Sequence, residues 1–129
     1  MDSMIESGVK TMKVLVVDDE QLVRWFLERA LRKWGHEVIS VSSALEAMTQ
    51  LEGGRFDILF TDLRMPEGNG TVLLNKVKQS TSRDMRVVVC SAFITADMIQ
   101  NFERDGILTL KKPFKLAELE GTLNQCSNC

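Results

Sequence analysis

Phe56-Asp57-Ile58-Leu59-Phe60-Thr61-Asp62-Leu63-Arg64-Met65-Pro66 is an apolar run of strand length that stops at one carboxylate, Asp62, and a proline-containing turn. Two further runs are built the same way: Val14-Leu15-Val16-Val17 ends on the acid pair Asp18-Asp19, and Val87-Val88-Val89-Cys90 ends on the hydroxyl of Ser91. Near-continuous apolar runs suit strands covered on both faces. Stretches with helical spacing of apolar residues separate them, and strands alternating with helices predict an α/β fold with an open, doubly wound parallel sheet. Such sheets bind ligands beyond the carboxyl ends of their strands. The polar groups that end these runs are therefore expected together on one edge.

The rest of the chain falls into place around that stretch. The polar residues 1–12 read as a flexible N-terminal tail, and 13–18 as the first strand. Leu22, Val23, Phe26, Leu27, Ala30, Leu31 and Trp34 follow at helical spacing, with Gly35 at the C-cap. Trp25 lies off this stripe, as an exposed or interaction residue, and His36 is expected at the surface. Residues 37–41 alternate apolar and polar, as an edge strand does. Ser43-Ala44-Leu45-Glu46 is a capping box for a helix buried through Ala44, Ala47, Met48 and Leu51 and ended by Gly53-Gly54. The third strand, 57–61, delivers Asp62 to a turn made by Met65-Pro66 and Gly68-Asn69-Gly70. Val72, Leu73, Leu74 and Val77 mark the next helix, 80–84 a polar linker, and 86–90 the fourth strand. Thr95 caps a helix through Met98, Ile99 and Phe102, with Met98 and Phe102 in the core and Gly106 at its end. The fifth strand spans 107–110, and a last helix runs through Leu116, Leu119 and Leu123. Five βα units fill the domain from 13 to 125, leaving 126–129 as a C-terminal tail.

At 129 residues the chain is long enough for one domain that buries a core without staples. A formal net charge of -2 offers no basic face for nucleic acid, so no direct nucleic-acid contact by this domain is expected. No apolar run approaches the roughly 18 residues of a membrane span, and the N-terminus lacks a signal-peptide pattern. The chain reads as cytoplasmic, with no membrane partner. Of the three cysteines, Cys90 reads as a small buried hydrophobe. Cys126 and Cys129 form a terminal C-x-x-C that lacks the further ligands zinc requires.

Asp18, Asp19 and Asp62 would converge as three carboxylates whose mutual repulsion a hard divalent ion relieves. Magnesium is typically held by one or two carboxylates plus phosphate oxygen, which points to phosphoryl chemistry. A carboxylate can itself attack phosphorus to form an aspartyl phosphate. Lys112, after the fifth strand, and Ser91, after the fourth, would supply an ammonium and a hydroxyl for the phosphoryl oxygens. Each residue also has a plainer reading: Asp18 and Asp19 as helix N-terminal charges, Asp62 as a turn cap, Ser91 as a helix cap, Lys112 as a solvated lysine.

Val14-Leu15-Val16-Val17-Asp18-Asp19-Glu20, Thr61-Asp62-Leu63-Arg64-Met65-Pro66, Ser91-Ala92 and Lys112-Pro113-Phe114 together resemble the receiver domain of bacterial two-component response regulators. The resemblance spans 13–125 and implies a flavodoxin-like five-stranded parallel sheet in the order 2-1-3-4-5. It implies that Asp62 accepts phosphoryl from a sensor histidine kinase or phosphotransfer protein, with Ser91 as switch hydroxyl and Lys112 as the phosphoryl-pairing lysine. Magnesium would be held by Asp18, Asp19, Asp62 and the backbone carbonyl of Arg64. The domain would catalyse its own phosphorylation and dephosphorylation without turning over an external substrate. An output domain or downstream protein would read the fourth-helix, fifth-strand, fifth-helix surface, and a phosphorylation-dependent homodimer is a further implied partner. Arg64 and Phe93 occupy positions that tune hydrolysis of the acyl phosphate. Thr109 departs from the family, which usually carries Tyr or Phe there, and keeps in play a degenerate receiver that only docks. A magnesium phosphatase would want a second acid where Arg64 stands, and a flavin or nucleotide site would want a Gly-rich loop where Asp18-Asp19-Glu20 stand. No output domain follows Gln125 in these residues, so the sequence fits a stand-alone receiver or a piece of a longer regulator.

Overall fold

Strand periodicity and burial explain the architecture. Five strands, β1 (Lys13–Val17), β2 (Glu37–Val41), β3 (Ile58–Thr61), β4 (Arg86–Ser91) and β5 (Leu108–Lys111), form one sheet in the order β2-β1-β3-β4-β5, and all its pairings are parallel. The computed structural model describes residues 11–64, 70–79 and 85–127; the turn at 65–69, the polar linker at 80–84, most of the N-terminal tail and Cys129 lie outside the described residues. Alternate side chains of each central strand enter opposite cores, as the two-residue strand period requires. Val14, Val16, Ile58, Phe60, Val88 and Cys90 face one cluster with Leu27, Leu31, Leu119 and Leu123. Leu15, Val17, Leu59, Val87 and Val89 face the other with Ala47, Leu73 and Leu74. A fully buried side chain of this size contributes about 1.5–3 kcal/mol, so these strands are the rigid base on which the site stands.

The helices are α1 (Gln21–Lys33), α2 (Ala44–Gly53), α3 (Gly70–Gln79), α4 (Ala96–Arg104) and α5 (Leu116–Ser127). Gly35, at φ 92°, ends α1: its amide donates to Arg32 O and the His36 amide to Leu31 O, the paired bonds of a Schellman cap. Ser43 caps α2 by accepting from the Glu46 amide at 3.2 Å. Glu46 reaches back one residue beyond the expected partner, to the Ser42 amide at 3.0 Å. Thr95 caps α4 through the Met98 amide.

Several expectations need correcting. His36 is buried, and its Nδ1 accepts from the Met12 amide at 3.1 Å. Met12, assigned to the tail, is itself buried in the α1/α5 core, because its carbonyl also accepts from the Glu37 amide beside β2. The C-terminal tail does not begin at Cys126, which continues the stripe of Leu119 and Leu123 into the core as α5 runs to Ser127. Met98 is only half-buried, whereas Phe102, also half-buried, packs against the core that holds Leu59 and Leu73, as expected; α4 has no fully buried residue and covers the sheet margin next to β5. Leu22, Val72 and Leu116 lie on predicted stripes yet are exposed. Trp25 is exposed and carries the Arg29 guanidinium 4.9 Å over its ring.

Candidate functional site

Register brings the carboxylates together before any side chain is considered. Val17 pairs with Thr61, so the residues that follow, Asp18 and Asp62, leave neighbouring strands side by side. The Asp62 amide donates to Val17 O at 3.1 Å and the Asp18 amide to Val41 O at 3.2 Å, extending the sheet's ladder by one rung under each acid. On the other flank Ser91 pairs with Lys111, and the Lys112 amide donates to Ser91 O at 2.9 Å. Lys112 is thereby brought to the same edge, and its peptide to Pro113 is cis.

Lys112 is the hub. Its ammonium lies 2.7 Å from Asp18 Oδ2, 2.8 Å from Asp62 Oδ2 and 2.8 Å from Glu20 Oε1. Asp18 and Asp62 are buried. Burial opposes the Lys112 charge, but the hydrogen bonds to Asp18, Asp62 and Glu20 outweigh it and hold its pKa above the ordinary lysine value. For Asp18, burial pushes the pKa above the usual carboxylate range, against the opposing hydrogen bonds from Lys112 and the Glu20 amide. Both partners of one ion pair are thus raised, and the reading consistent with both is a firmly charged ammonium that under-compensates its carboxylates.

The second Asp62 oxygen, Oδ1, accepts from the Arg64 amide at 3.1 Å, so Asp62 also caps its own turn. Ser91 is buried, and its Oγ accepts from the Phe93 amide at 3.2 Å. The Arg64 guanidinium stacks 4.4 Å from the exposed Phe93 ring, joining the two residues read as modulators. Thr109 is half-buried and pairs with Val89. It leaves no aromatic ring at that position.

One sequence-predicted ligand is not part of the cluster. Among the described residues, the carboxylates with oxygens within 4.8 Å of one another are those of Asp18, Glu20 and Asp62, while Asp19 is exposed. Glu20 takes part because its amide folds back on Asp18 Oδ1 at 2.9 Å, bringing residue i+2 over the same edge and leaving i+1 outside. Glu20 was missed, as was Arg24, whose Nη1 donates to the Asp18 carbonyl at 2.6 Å. Arg24 carried a signal, since it lies one turn into α1 from the acid pair. Hard, closely spaced carboxylate oxygens with incomplete charge compensation suit magnesium, so the donor chemistry fits that ion. The two described free cysteines, Cys90 and Cys126, are buried, and burial raises both thiol pKa values, which suits packing and not redox work.

A family model for the response regulator receiver domain matches residues 14–124. The chain belongs to that family. This receiver domain is 35% identical over 118 residues to the DNA-binding transcriptional regulator NtrC of Azospirillum brasilense, an alignment covering 89% of the chain and 24% of that protein. It is 28% identical over 114 residues to sporulation initiation phosphotransferase F of Bacillus subtilis, covering 88% of the chain and 91% of that protein. Among solved structures, the chemotaxis response regulator CheY4 of Vibrio cholerae superposes with a TM-score of 0.81 at 27% identity, covering 91% of this chain and 99% of that one. The beryllofluoride-activated NtrC4 receiver domain dimer gives 0.81 at 26% identity, covering 90% and 96%. The chain spans 24% and 16% of the length of two curated relatives, NtrC and the sensory/regulatory protein RpfC of Xanthomonas campestris. Among the described residues, no helix is long and apolar enough to cross a membrane.

Proposed function

We propose that Asp62 is the phosphoryl acceptor of this receiver domain, and that the domain works as a two-component signalling switch. The observation that carries the reading is the pairing of Asp62, buried at the carboxyl end of β3, with Lys112 at 2.8 Å. A carboxylate at a strand end can act as the nucleophile, and an ammonium already beside it is placed for the phosphoryl oxygens.

An Asp62 oxygen forms the new bond to phosphorus as the donor's phosphorus–nitrogen bond breaks, and the electron pair leaves with the donor imidazole of a sensor histidine kinase or phosphotransfer protein. Asp18, Asp62 and the Arg64 carbonyl would hold magnesium, with Asp19, exposed outside the carboxylate cluster, joining them once the ion is present; the ion when bound supplies positive charge to the transferring oxygens. Lys112 donates to one phosphoryl oxygen, and the Ser91 hydroxyl, which accepts from the Phe93 amide, has its proton to give to another. These charge-assisted bonds draw on Ser91 in β4 and Lys112 beyond β5, so phosphorylation alters the α4-β5-α5 surface that an output domain or downstream protein reads. A receiver dimer of the kind formed by beryllofluoride-activated NtrC4 is one form that readout takes. Arg64 and Phe93, stacked beside the acceptor, shield the acyl phosphate from water. The setting is the cytoplasm.

Incubation with a small acyl phosphate and magnesium should add one phosphoryl group at Asp62, read by peptide mass spectrometry, and none in Asp62→Asn. An equal adduct in Asp62→Asn sinks the assignment. No adduct in either protein favours a module that docks without phosphorylation.

A further inference from the structure

We propose that Glu20 is a positioning residue that acts through Lys112, as the exchangeable third partner that the ammonium must release before it can pair with an incoming phosphoryl group. The inference rests on Asp62 being the acceptor. A lysine ammonium has three hydrogens to donate. Here three carboxylates crowd it: it donates to Asp62 and Glu20 at 2.8 Å, and Asp18 lies against it as an ion pair at 2.7 Å. A phosphoryl oxygen can be served only if one partner lets go. The Asp18 and Asp62 side chains are 2% and 8% exposed, against 59% for Glu20. Releasing either aspartate would strand a buried charge, whereas a released Glu20 carboxylate is rehydrated at little cost. Glu20 therefore yields, and the direction it occupies is where the phosphoryl oxygen arrives.

A second observation points the same way. Glu20 is the N-cap residue of α1, yet its side chain makes no capping hydrogen bond. The position prefers a short side chain that caps the first turn, and this chain instead has a long one that spans 92 residues of sequence to reach Lys112. A local rule broken without local benefit is expected at functional sites. The Glu20 backbone meanwhile does its structural work alone: its amide donates to Asp18 Oδ1, and its carbonyl accepts from the Val23 and Arg24 amides. Side-chain substitutions here should leave the fold intact.

The test is the initial rate of Asp62 phosphorylation by a small acyl phosphate with magnesium, followed by mass spectrometry in wild type, Glu20→Gln and Glu20→Asp. Glu20→Gln weakens the hold on Lys112. Glu20→Asp keeps the charge but is one carbon shorter and suited to capping α1, so it withdraws from Lys112. Both variants should label about two- to fivefold faster than wild type, the scale set by one exposed ion pair. Glu20→Asp at the wild-type rate beside a faster Glu20→Gln would mean that the charge merely repels the anionic donor, and overturns the inference. Glu20→Gln at or below the wild-type rate overturns it as well. Wild type that never labels at Asp62 removes the acceptor reading itself, a result distinguishable from equal labelling in all three proteins.

Discussion

The imidazole of His36 accepts a hydrogen bond from the Met12 amide in a site where a charged ring is poorly solvated, so folding and protonation of this residue oppose one another. Burial lowers its pKa below the ordinary value of 6.5. Below about pH 6.5 the unfolded chain takes up a proton that the folded chain resists. Stability from this residue is therefore complete above that pH, and it is lost progressively as pH falls toward the lowered folded pKa. Charging the ring would also remove the lone pair that receives the Met12 amide. His36→Gln keeps an acceptor and cannot titrate. It should lose about 1 kcal/mol at pH 7.5 through poorer fit, yet its stability relative to wild type should improve as pH is lowered from 7 to 5. Urea melts at three pH values check this, and parallel curves for the two proteins would show that His36 does not titrate against the fold. Burial of His36 was not legible in the sequence: it follows a Schellman glycine in a polar-looking junction, and only the Met12 amide, 24 residues away, gives the ring a reason to turn inward.

At the scale of elements, helix ends and helix interiors make opposite demands on glycine. Gly106 ends α4 with φ 74°, its amide donating to Glu103 O and the Ile107 amide to Phe102 O. A Cβ there would meet nothing within 4 Å, so Gly106→Ala isolates the cost of the left-handed conformation, about 1–2 kcal/mol. Gly121 lies inside α5, and a Cβ there also meets nothing within 4 Å. Gly121→Ala should stabilise by about 0.5–1 kcal/mol, because alanine surrenders less backbone freedom in a helix. Denaturant midpoints that move in opposite directions bear this out; a shared sign would contradict it. The strands and most caps were legible because a doubly covered parallel strand leaves a continuous apolar run, and because Gly35, Ser43, Thr95 and Gly106 each act on backbone a few residues away. Depth was less legible. Periodicity shows which side of a helix faces inward but not how far the neighbouring layer reaches, so Leu22, Val72 and Leu116 fell on apolar stripes yet are exposed.

For the whole molecule, the site joins the ends of β1, β3, β4 and β5 to the start of α1, with Lys112 as the tie. The strand-end acids and Lys112 could be read from the sequence because each terminates an apolar run. Glu20 could not, since its partner is distant in sequence and its exposed position looks like an ordinary charged helix start. Without Lys112, Asp18 and Asp62 would face each other buried and uncompensated. Breaking a buried pair by removing one partner costs about 3–5 kcal/mol, reduced here by whatever protonation Asp18 accepts, since burial already raises its pKa. Lys112→Met should therefore be less stable than wild type in chelator by about 2–4 kcal/mol. Bound as proposed, magnesium would neutralise the same carboxylates as the ammonium, so in wild type the ion would have to compete with Lys112 for them. A ligand that binds only the folded chain adds RT ln(1 + [Mg]/Kd), about 2.7 kcal/mol at a hundredfold excess over Kd. Removing the competitor lowers Kd and enlarges that gain. Urea melts of both proteins, with chelator and with millimolar magnesium, should show a larger magnesium increment in Lys112→Met than in wild type. If the variant gains no more than wild type, the ion does not share its carboxylates with Lys112, and the assignment of magnesium to Asp18 and Asp62 must be abandoned.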